Sequence, residues 1–141
     1  MISYKYEKLS NGGFMKIRES AENYLETILM LYKKNGHVRS IDIANELGYS
    51  KPSISHAMKQ LRENGYITVD ELGYISLTET GKSIAERMYE RHGILSQYLI
   101  SIGVSETTAT EDACRIEHVI SEESFEKMKQ HLLTEHKRTN Q

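Results

Sequence analysis

The 141-residue sequence contains a single cysteine, and it has no apolar run that approaches the length of a membrane-spanning helix. One cysteine excludes an internal disulfide framework, and a thiol that serves as a metal ligand needs a reducing compartment. The N-terminal residues also lack the apolar core of a signal peptide. These absences predict a soluble cytoplasmic protein that has no membrane partner.

The chain also lacks a strong excess of positive charge. Its net charge is -2, with ten Lys or Arg against nine Asp or Glu in residues 1–75 and eight against eleven in residues 76–141. If the protein binds DNA, basic side chains must therefore be placed locally. No glycine-rich loop for a phosphate or oxyanion is present, which argues against an enzyme with a small-molecule substrate.

The only cysteine lies in Asp112–His118, close to a carboxylate and an imidazole. In a helix, Cys114, Glu117 and His118 stand at i, i+3 and i+4, so their side chains leave one face within reach of one ion. Thiolate, imidazole and carboxylate together suit Fe, Mn, Co or Zn, whereas Ca and Mg prefer oxygen ligands. Glu-His pairs are also common on solvated helix faces, so the triplet alone leaves both interpretations open.

The N-terminal residues show no helical or strand period and contain Asn11-Gly12-Gly13, which predicts a disordered or accessory tail over residues 1–16. Met15 is an alternative to Met1 as the natural start. A purine-rich ribosome-binding site just upstream of Met15 would be translated as such a glycine pair if the start were assigned too early. Helical periodicity then predicts a helix from Glu19 to Lys34, with Ser20 as its N-cap. Its apolar positions are Leu25, Ile28, Leu29 and Tyr32.

Two short helices follow, one over Ser40–Leu47 and one that runs from Lys51 to about Glu63 behind the N-cap Ser50. Two such helices with a glycine-containing turn predict a helix-turn-helix. The outward face of the second helix suits a major groove, because hydroxyls and imidazole meet base edges while cations meet phosphates. A solvated surface helix can carry the same residues, which are Lys51, Ser53, Ser55, His56, Lys59 and Arg62.

Residues 66–69 and 74–77 are β-rich and alternate at period two, which predicts a hairpin and hence the wing of a winged helix-turn-helix. The acidic tip of this wing argues against a strong phosphate contact there. A long helix capped by Thr78 runs to about Ile102, and His92 lies on its apolar stripe, where a lone histidine is more often a core residue than a ligand. Two further apolar helices, Ser105 to Ile120 and one after Ser121, are expected to dock onto a twin subunit.

Together these segments resemble the iron- and manganese-dependent repressors typified by the diphtheria toxin repressor and the manganese transport regulator. Residues 20–28 look like that family's first helix, residues 89–92 like its ligand-histidine segment, and residues 111–121 like its signature. The resemblance covers about residues 17–131, and the length is similar to that of the short manganese-type members. It implies a mainly α fold, with a winged helix-turn-helix over residues 17–80 and an all-helical metal-binding and dimerisation region over 81–141.

The resemblance also implies a set of metal ligands. Asn23 stands where manganese-type members have Asp and iron-type members have Met, so it offers a carbonyl oxygen without charge. Cys114 matches an iron-type ligand where manganese-type members use a bridging Glu, and Ser96 and Thr110 replace further iron-type ligands. Mn(II) or Fe(II) is the expected cofactor, one or two ions per subunit, with Zn(II) or Co(II) as substitutes in vitro. The implied ligands are Asn23, Glu26, His92, Cys114, Glu117 and His118.

The function implied is that of a homodimeric, metal-activated repressor of metal-homeostasis genes that binds a palindromic operator in double-stranded DNA. The alternatives are a winged-helix regulator that responds to thiol oxidation or another ligand, and a small metalloenzyme that uses Cys114 with His118. With the positions that the resemblance adds, the expected DNA contacts are Ser50, Lys51, Pro52, Ser53, Ser55, His56, Lys59 and Arg62.

Overall fold

Residues 12–139, which a computed structural model describes, form six helices and one two-stranded antiparallel sheet. This mainly α architecture confirms the predicted fold class. Within that range no helix is both long and apolar enough to cross a membrane. The elements in chain order are α1 (Gly12–Asn35), α2 (Ser40–Leu47), α3 (Lys51–Glu63), β1 (Ile67–Val69), β2 (Ile75–Leu77), α4 (Glu79–Ser101), α5 (Glu106–Ile116) and α6 (Glu122–Thr139).

Helix α1 begins at Gly12, well before the predicted start at Glu19. Ser20 therefore lies inside the helix, and its prediction as the N-cap is wrong. Lys16, Arg18 and Glu19 just before Ser20 are residue types of high helix propensity, which favours this extension toward the N-terminus. Of the predicted tail, residues 1–11 lie outside the described residues, and residues 12–16 are helical.

The buried face of α1 includes most of the predicted apolar stripe. Leu25, Ile28 and Leu29 are buried, as predicted, but Tyr32 is 57% exposed. Leu31, which is 6% exposed, lies on the buried face instead, three residues after Ile28. The phenol at position 32 is thus placed at the surface, and a branched aliphatic side chain is placed in the core.

The helix-turn-helix has the predicted bounds and the predicted caps. Helix α2 ends at Gly48, whose φ of 70° lies in the left-handed region that favours glycine. The Ser50 side chain then accepts a hydrogen bond from the backbone N–H of Ser53 at the start of α3. The inner face of α3 is buried at all four predicted positions, Ile54, Ala57, Met58 and Leu61.

The hairpin after α3 pairs residues 67–69 with residues 75–77 in antiparallel register, which confirms the predicted wing. The carboxylate of Asp70 accepts hydrogen bonds from the backbone N–H groups of Leu72 and Tyr74, both at 2.9 Å. One of the two acids at the tip therefore shapes the turn, as Asp commonly does.

Helix α4 starts against the backbone of the wing. The side chain of Thr78 caps it by accepting a hydrogen bond from the backbone N–H of Gly81, as the sequence predicts. A Cβ atom at Gly81 would collide with the carbonyl oxygen of Tyr66, so this position has room only for glycine. The first turn of α4 therefore packs directly against the backbone just before β1.

The chain divides into two compact units within α4, one that ends at Glu86 and one that begins at Arg87. We call the first the winged-helix unit and the second the C-terminal unit. The winged-helix unit has a continuous apolar core contributed by α1, α2, α3, the wing and the start of α4. The functional boundary predicted after residue 80 stays a prediction.

The C-terminal unit has its own small core, in which Leu95, Ala113 and Phe125 are buried together. Helix α5 ends at Ile116, so the prediction that it continues to Ile120 is wrong. Glu117 keeps right-handed helical dihedral angles, and the chain then turns before α6. The triplet is therefore divided between the last turn of α5 and the turn that follows it.

Candidate metal centre and nucleic-acid interface

Four of the predicted metal ligands lie together in the C-terminal unit. His92 is in the middle of α4, Cys114 is in the last turn of α5, and Glu117 and His118 follow that helix. Glu117 is 1% exposed, and the side chain of His92 is 23% exposed. Cys114 is exposed, so the cluster has one buried end and one end open to solvent.

The carboxylate of Glu117 lies between two imidazoles. Its Oε2 atom is 3.0 Å from Nδ1 of His92, and its Oε1 atom is 3.4 Å from Nε2 of His118. The Sγ atom of Cys114 is 3.7 Å from the same Nδ1 atom of His92. Nitrogen, oxygen and sulfur donors from three segments thus meet at one point.

Glu117 also changes the protonation of its neighbour. Its hydrogen bond raises the pKa of His92 above the ordinary 6.5, although partial burial of the ring acts in the opposite direction. The negative charge of the carboxylate adds to the increase. A metal ion requires the neutral imidazole, so any ion that binds here competes with this proton.

The donor set fits a divalent transition metal. Two ligand atoms that are each about 2.1 Å from one ion at tetrahedral angles are about 3.4 Å apart, and the three separations observed are 3.0, 3.4 and 3.7 Å. Mixed imidazole, carboxylate and thiol donors suit Fe, Mn, Co or Zn rather than Ca or Mg. The residues present can therefore hold such an ion after small side-chain movements.

The other two predicted ligands, Asn23 and Glu26, lie on α1 in the winged-helix unit. They are three residues apart and so share one face of the helix. Glu26 is only 5% exposed, and Asn23 is partly buried. A carboxylate that is removed from water in this way needs a charged or hydrogen-bonding partner.

The positions of the further iron-type ligands carry hydroxyls only. The Oγ atom of Ser96 is buried without a hydrogen-bond partner among the described residues. The hydroxyl of Thr110 donates to the carbonyl oxygen of Glu106 within its own helix. Neither side chain supplies a carboxylate or an imidazole for a second ion.

A group of charged side chains centred on a buried arginine lies beside the cluster and was not predicted. Arg91, only 2% exposed, and Arg87 both donate to the carboxylate of Glu122, at 2.9 and 2.7 Å. Desolvation raises the pKa of Glu122, but the hydrogen bond from Arg91 and the two positive charges outweigh it and lower the pKa below 4.5. Arg91 lies three residues after Met88 and four before Leu95, so its place on the buried stripe was visible in the sequence.

The predicted DNA-binding residues all lie on the exposed surface of the winged-helix unit. None of them belongs to the inner face of α3, so the basic and polar side chains are available to a partner. An α-helix with this face has the diameter to enter a major groove. The exposed residues are Ser50, Lys51, Pro52, Ser53, Ser55, His56, Lys59 and Arg62.

A further exposed cation lies at the base of the wing and was not predicted. Arg39 forms a β-bridge with Tyr74, and its guanidinium lies over the ring of Tyr74 at 5.4 Å. The ring of His37 also contacts the Tyr74 ring edge-to-face, with their centroids 5.6 Å apart. Arg39 thus presents positive charge beside the acidic wing tip.

Two family models match the chain, one over the N-terminal half and one over the C-terminal half. Residues 16–73 match the family described as "Iron dependent repressor, N-terminal DNA binding domain". Residues 78–137 match "Iron dependent repressor, metal binding and dimerisation domain". The helix-turn-helix thus falls in the first match, and His92, Cys114, Glu117 and His118 fall in the second.

Individual proteins and solved structures are also similar to this chain. The chain is 34% identical over 119 residues to the transcriptional regulator MntR of Escherichia coli O6:H1, which covers 81% of this chain and 77% of that protein. The fold is similar to that of the manganese regulator SloR, with a TM-score of 0.71 and 24% identity over 79% of this chain. It is similar as well to IdeR of T. acidophilum, with a TM-score of 0.68 and 27% identity over 78%. The chain spans 53% and 52% of those two solved structures, about half of their length.

Proposed function

Because the chain belongs to the iron-dependent repressor family, we propose that it is a cytoplasmic transcriptional repressor that divalent Mn or Fe activates for DNA binding. The observation that carries this proposal is the position of the His92 Nδ1 atom, which lies 3.0 Å from Oε2 of Glu117 and 3.7 Å from Sγ of Cys114. These donors occur in the same chain as an exposed basic recognition helix. The regulated genes are proposed to be those of metal homeostasis.

The proposed ligands come from both units of the chain. His92, Glu117, His118 and Cys114 supply two imidazoles, a carboxylate and a thiolate, and α1 supplies the buried carboxylate of Glu26. The amide of Asn23 adds a neutral oxygen. When bound, the ion supplies positive charge and a common partner for these side chains. The proposed ligands are Asn23, Glu26, His92, Cys114, Glu117 and His118.

The net charge of the protein is slightly negative, so the charge of bound metal ions affects how closely it can approach DNA phosphates. The net charge of each subunit is -2, and it rises to zero with one divalent ion or to +2 with two, if no proton is released on binding. Deprotonation of Cys114 on binding reduces that gain. Engagement of Glu26 together with the ligands of the C-terminal unit is expected to fix the direction of α3 relative to the dimer axis.

A homodimer is the proposed assembly. The second matching family is described as a dimerisation domain, and the C-terminal unit has several large apolar side chains at its surface, which a second copy would cover. A two-fold dimer presents two copies of α3, so the expected operator is palindromic, with its half-sites at a set separation. The exposed apolar residues are Tyr89, Ile100, Ile102, Val119 and Leu133.

An anaerobic electrophoretic mobility shift on DNA from upstream of the protein's own gene tests the proposal. Mn(II) and Fe(II) are titrated separately against a chelated control, and Glu117→Gln serves as the variant that lacks the central carboxylate. We expect retardation only when metal is present, and we expect the variant to need more metal. Equal retardation in chelator would remove metal activation and leave an unregulated winged helix.

Thiol oxidation is a second candidate signal, because Cys114 is exposed and its Sγ atom lies 3.7 Å from His92. Such a thiol is open to peroxide, and a sulfenic acid would no longer serve as a ligand. DNA binding that peroxide abolishes in the absence of any metal effect would favour this signal. The metalloenzyme alternative has no such support, since the matching relatives are transcriptional regulators.

A further inference from the structure

A buried arginine on α4 holds the turn that carries two of the proposed ligands. The side chain of Arg91 is 2% exposed, and its Nη1 atom donates to the carbonyl oxygens of Glu117 and Ile120, both at 3.0 Å. Its Nη2 atom donates to Oε2 of Glu122 at 2.9 Å. The guanidinium also lies over the ring of Phe125, 5.2 Å from the centroid.

Two adjacent residues of α4 therefore hold Glu117 at two different places. Arg91 binds the backbone carbonyl of Glu117, and His92 contacts its carboxylate at 3.0 Å. Because neighbouring helix positions point about 100° apart, the two contacts approach residue 117 from different directions. One contact fixes the backbone position, and the other engages the atoms that would meet a metal ion.

The geometry needs an arginine in particular. The last carbonyl groups of a helix have no hydrogen-bond partner within that helix, and the carbonyl group of Glu117 lies at the C-cap of α5. The carbonyl group of Ile120 lies in the turn that follows. A guanidinium presents several donors in a rigid fork, so Arg91 can reach two carbonyls and a carboxylate at once. A lysine at the same position has one ammonium on a flexible stem and cannot reproduce this fork.

We propose that Arg91 is a positioning residue for the metal centre, which fixes the turn of residues 117–120 so that Glu117 and His118 face His92. The inference rests on the proposed function, because the readout is the affinity of those ligands for metal. Partners that orient metal ligands are typically worth about 10–100-fold in metal affinity. Arg91 is not itself proposed as a metal ligand.

The test compares Arg91→Lys with Arg87→Met in the full-length protein. Arg87 donates to the same Glu122 carboxylate at 2.7 Å but makes no hydrogen bond to the carbonyl oxygens of the turn. We expect Arg91→Lys to weaken Mn(II) binding by about tenfold or more, while Arg87→Met leaves it unchanged. In the metal-free protein, amide hydrogen exchange in residues 117–120 should accelerate in the first variant and not in the second.

Wild-type Mn(II) affinity and wild-type exchange rates in a folded Arg91→Lys protein would overturn the inference. If Arg91→Lys does not fold, Glu122→Ala takes its place, because it removes one of the three hydrogen-bond acceptors of the guanidinium. Faster exchange and weaker Mn(II) binding in that variant support the inference, and unchanged values overturn it. A wild-type protein that binds neither Mn(II) nor Fe(II) would instead remove the proposed function, and the exchange experiment separates this result because it needs no metal.

Discussion

The carboxylate of Glu117 lies between His92 and His118 and is almost completely buried. In the metal-free protein it stabilises the protonated form of His92, whose pKa is raised mainly by this hydrogen bond. That contribution to stability is complete below the unfolded pKa of about 6.5 and disappears as the pH rises through the raised folded pKa. Metal affinity has the opposite dependence, because the ion needs the neutral ring, and it is expected to fall as the pH drops through the same pKa.

Glu117→Gln tests this coupling. The amide keeps the shape of the side chain but removes its charge, so the pKa of His92 should move down toward its ordinary value. Mn(II) affinity should fall by more than about tenfold, since even partners outside the ligand shell are worth about 10–100-fold. An NMR titration of the His92 ring and a Mn(II) binding isotherm check both effects. An unchanged pKa would show that Glu117 does not control the protonation of His92.

At the residue scale, the sequence indicated which donor side chains would lie together but not which residues would position them. Cys114, Glu117 and His118 have helical spacing in the sequence, and His92 contacts Glu117 and Cys114 in the fold. Arg91 was not predicted, because its role depends on carbonyl groups that become available only when α5 ends at Ile116. Backbone acceptors leave no pattern in a sequence.

At the scale of elements, local signals were sufficient wherever a cap or a breaker was present. Helices α2 and α3 have the predicted bounds because Gly48 and Ser50 make local hydrogen bonds. The predicted start of α1 and the predicted end of α5 were wrong, since no strong capping or helix-breaking signal marks either position. The contact of Gly81 with the Tyr66 backbone could not be predicted, because it joins elements whose approach depends on packing.

Glycine substitutions in α4 distinguish a packing requirement from helix propensity. Gly81→Ala is expected to destabilise the protein by about 1–3 kcal/mol or more, because the new Cβ collides with backbone and not with a mobile side chain. Gly93→Ala is the matched control, since a Cβ there meets nothing within 4 Å. It should stabilise the same helix by about 0.5–1 kcal/mol. Urea unfolding of the metal-free proteins measures both, and equal effects would contradict the packing account.

The recognition helix gives a second prediction at this scale. Lys59 is an exposed cation on α3 and is expected to contact a phosphate. Lys59→Ala should weaken binding to all DNA sequences similarly and reduce the slope of log K against log salt by about 1. Lys127→Ala, an exposed charge on α6, removes the same charge from the C-terminal unit. If both variants change the slope equally, general charge rather than contact by α3 determines affinity.

At the scale of the whole molecule, two units with separate cores are expected to respond together only when ligands from both engage. A ligand that binds the folded state at a hundred times its Kd adds about 2.7 kcal/mol of stability. Saturating Mn(II) should therefore slow hydrogen exchange in the α3 core of the winged-helix unit as well as in the C-terminal unit.

Glu26→Gln should restrict this protection to the C-terminal unit, because it replaces the buried carboxylate of α1 that is proposed as a ligand with a neutral amide. Glu46→Gln, an exposed carboxylate on α2, makes the same chemical change in the same unit and should leave the protection of both units intact. Hydrogen exchange resolved by peptide, with and without Mn(II), separates the two units in one experiment. Protection confined to the C-terminal unit in the wild-type protein would show that metal binding does not involve α1, and the proposed link from metal occupancy to the direction of α3 would then fail.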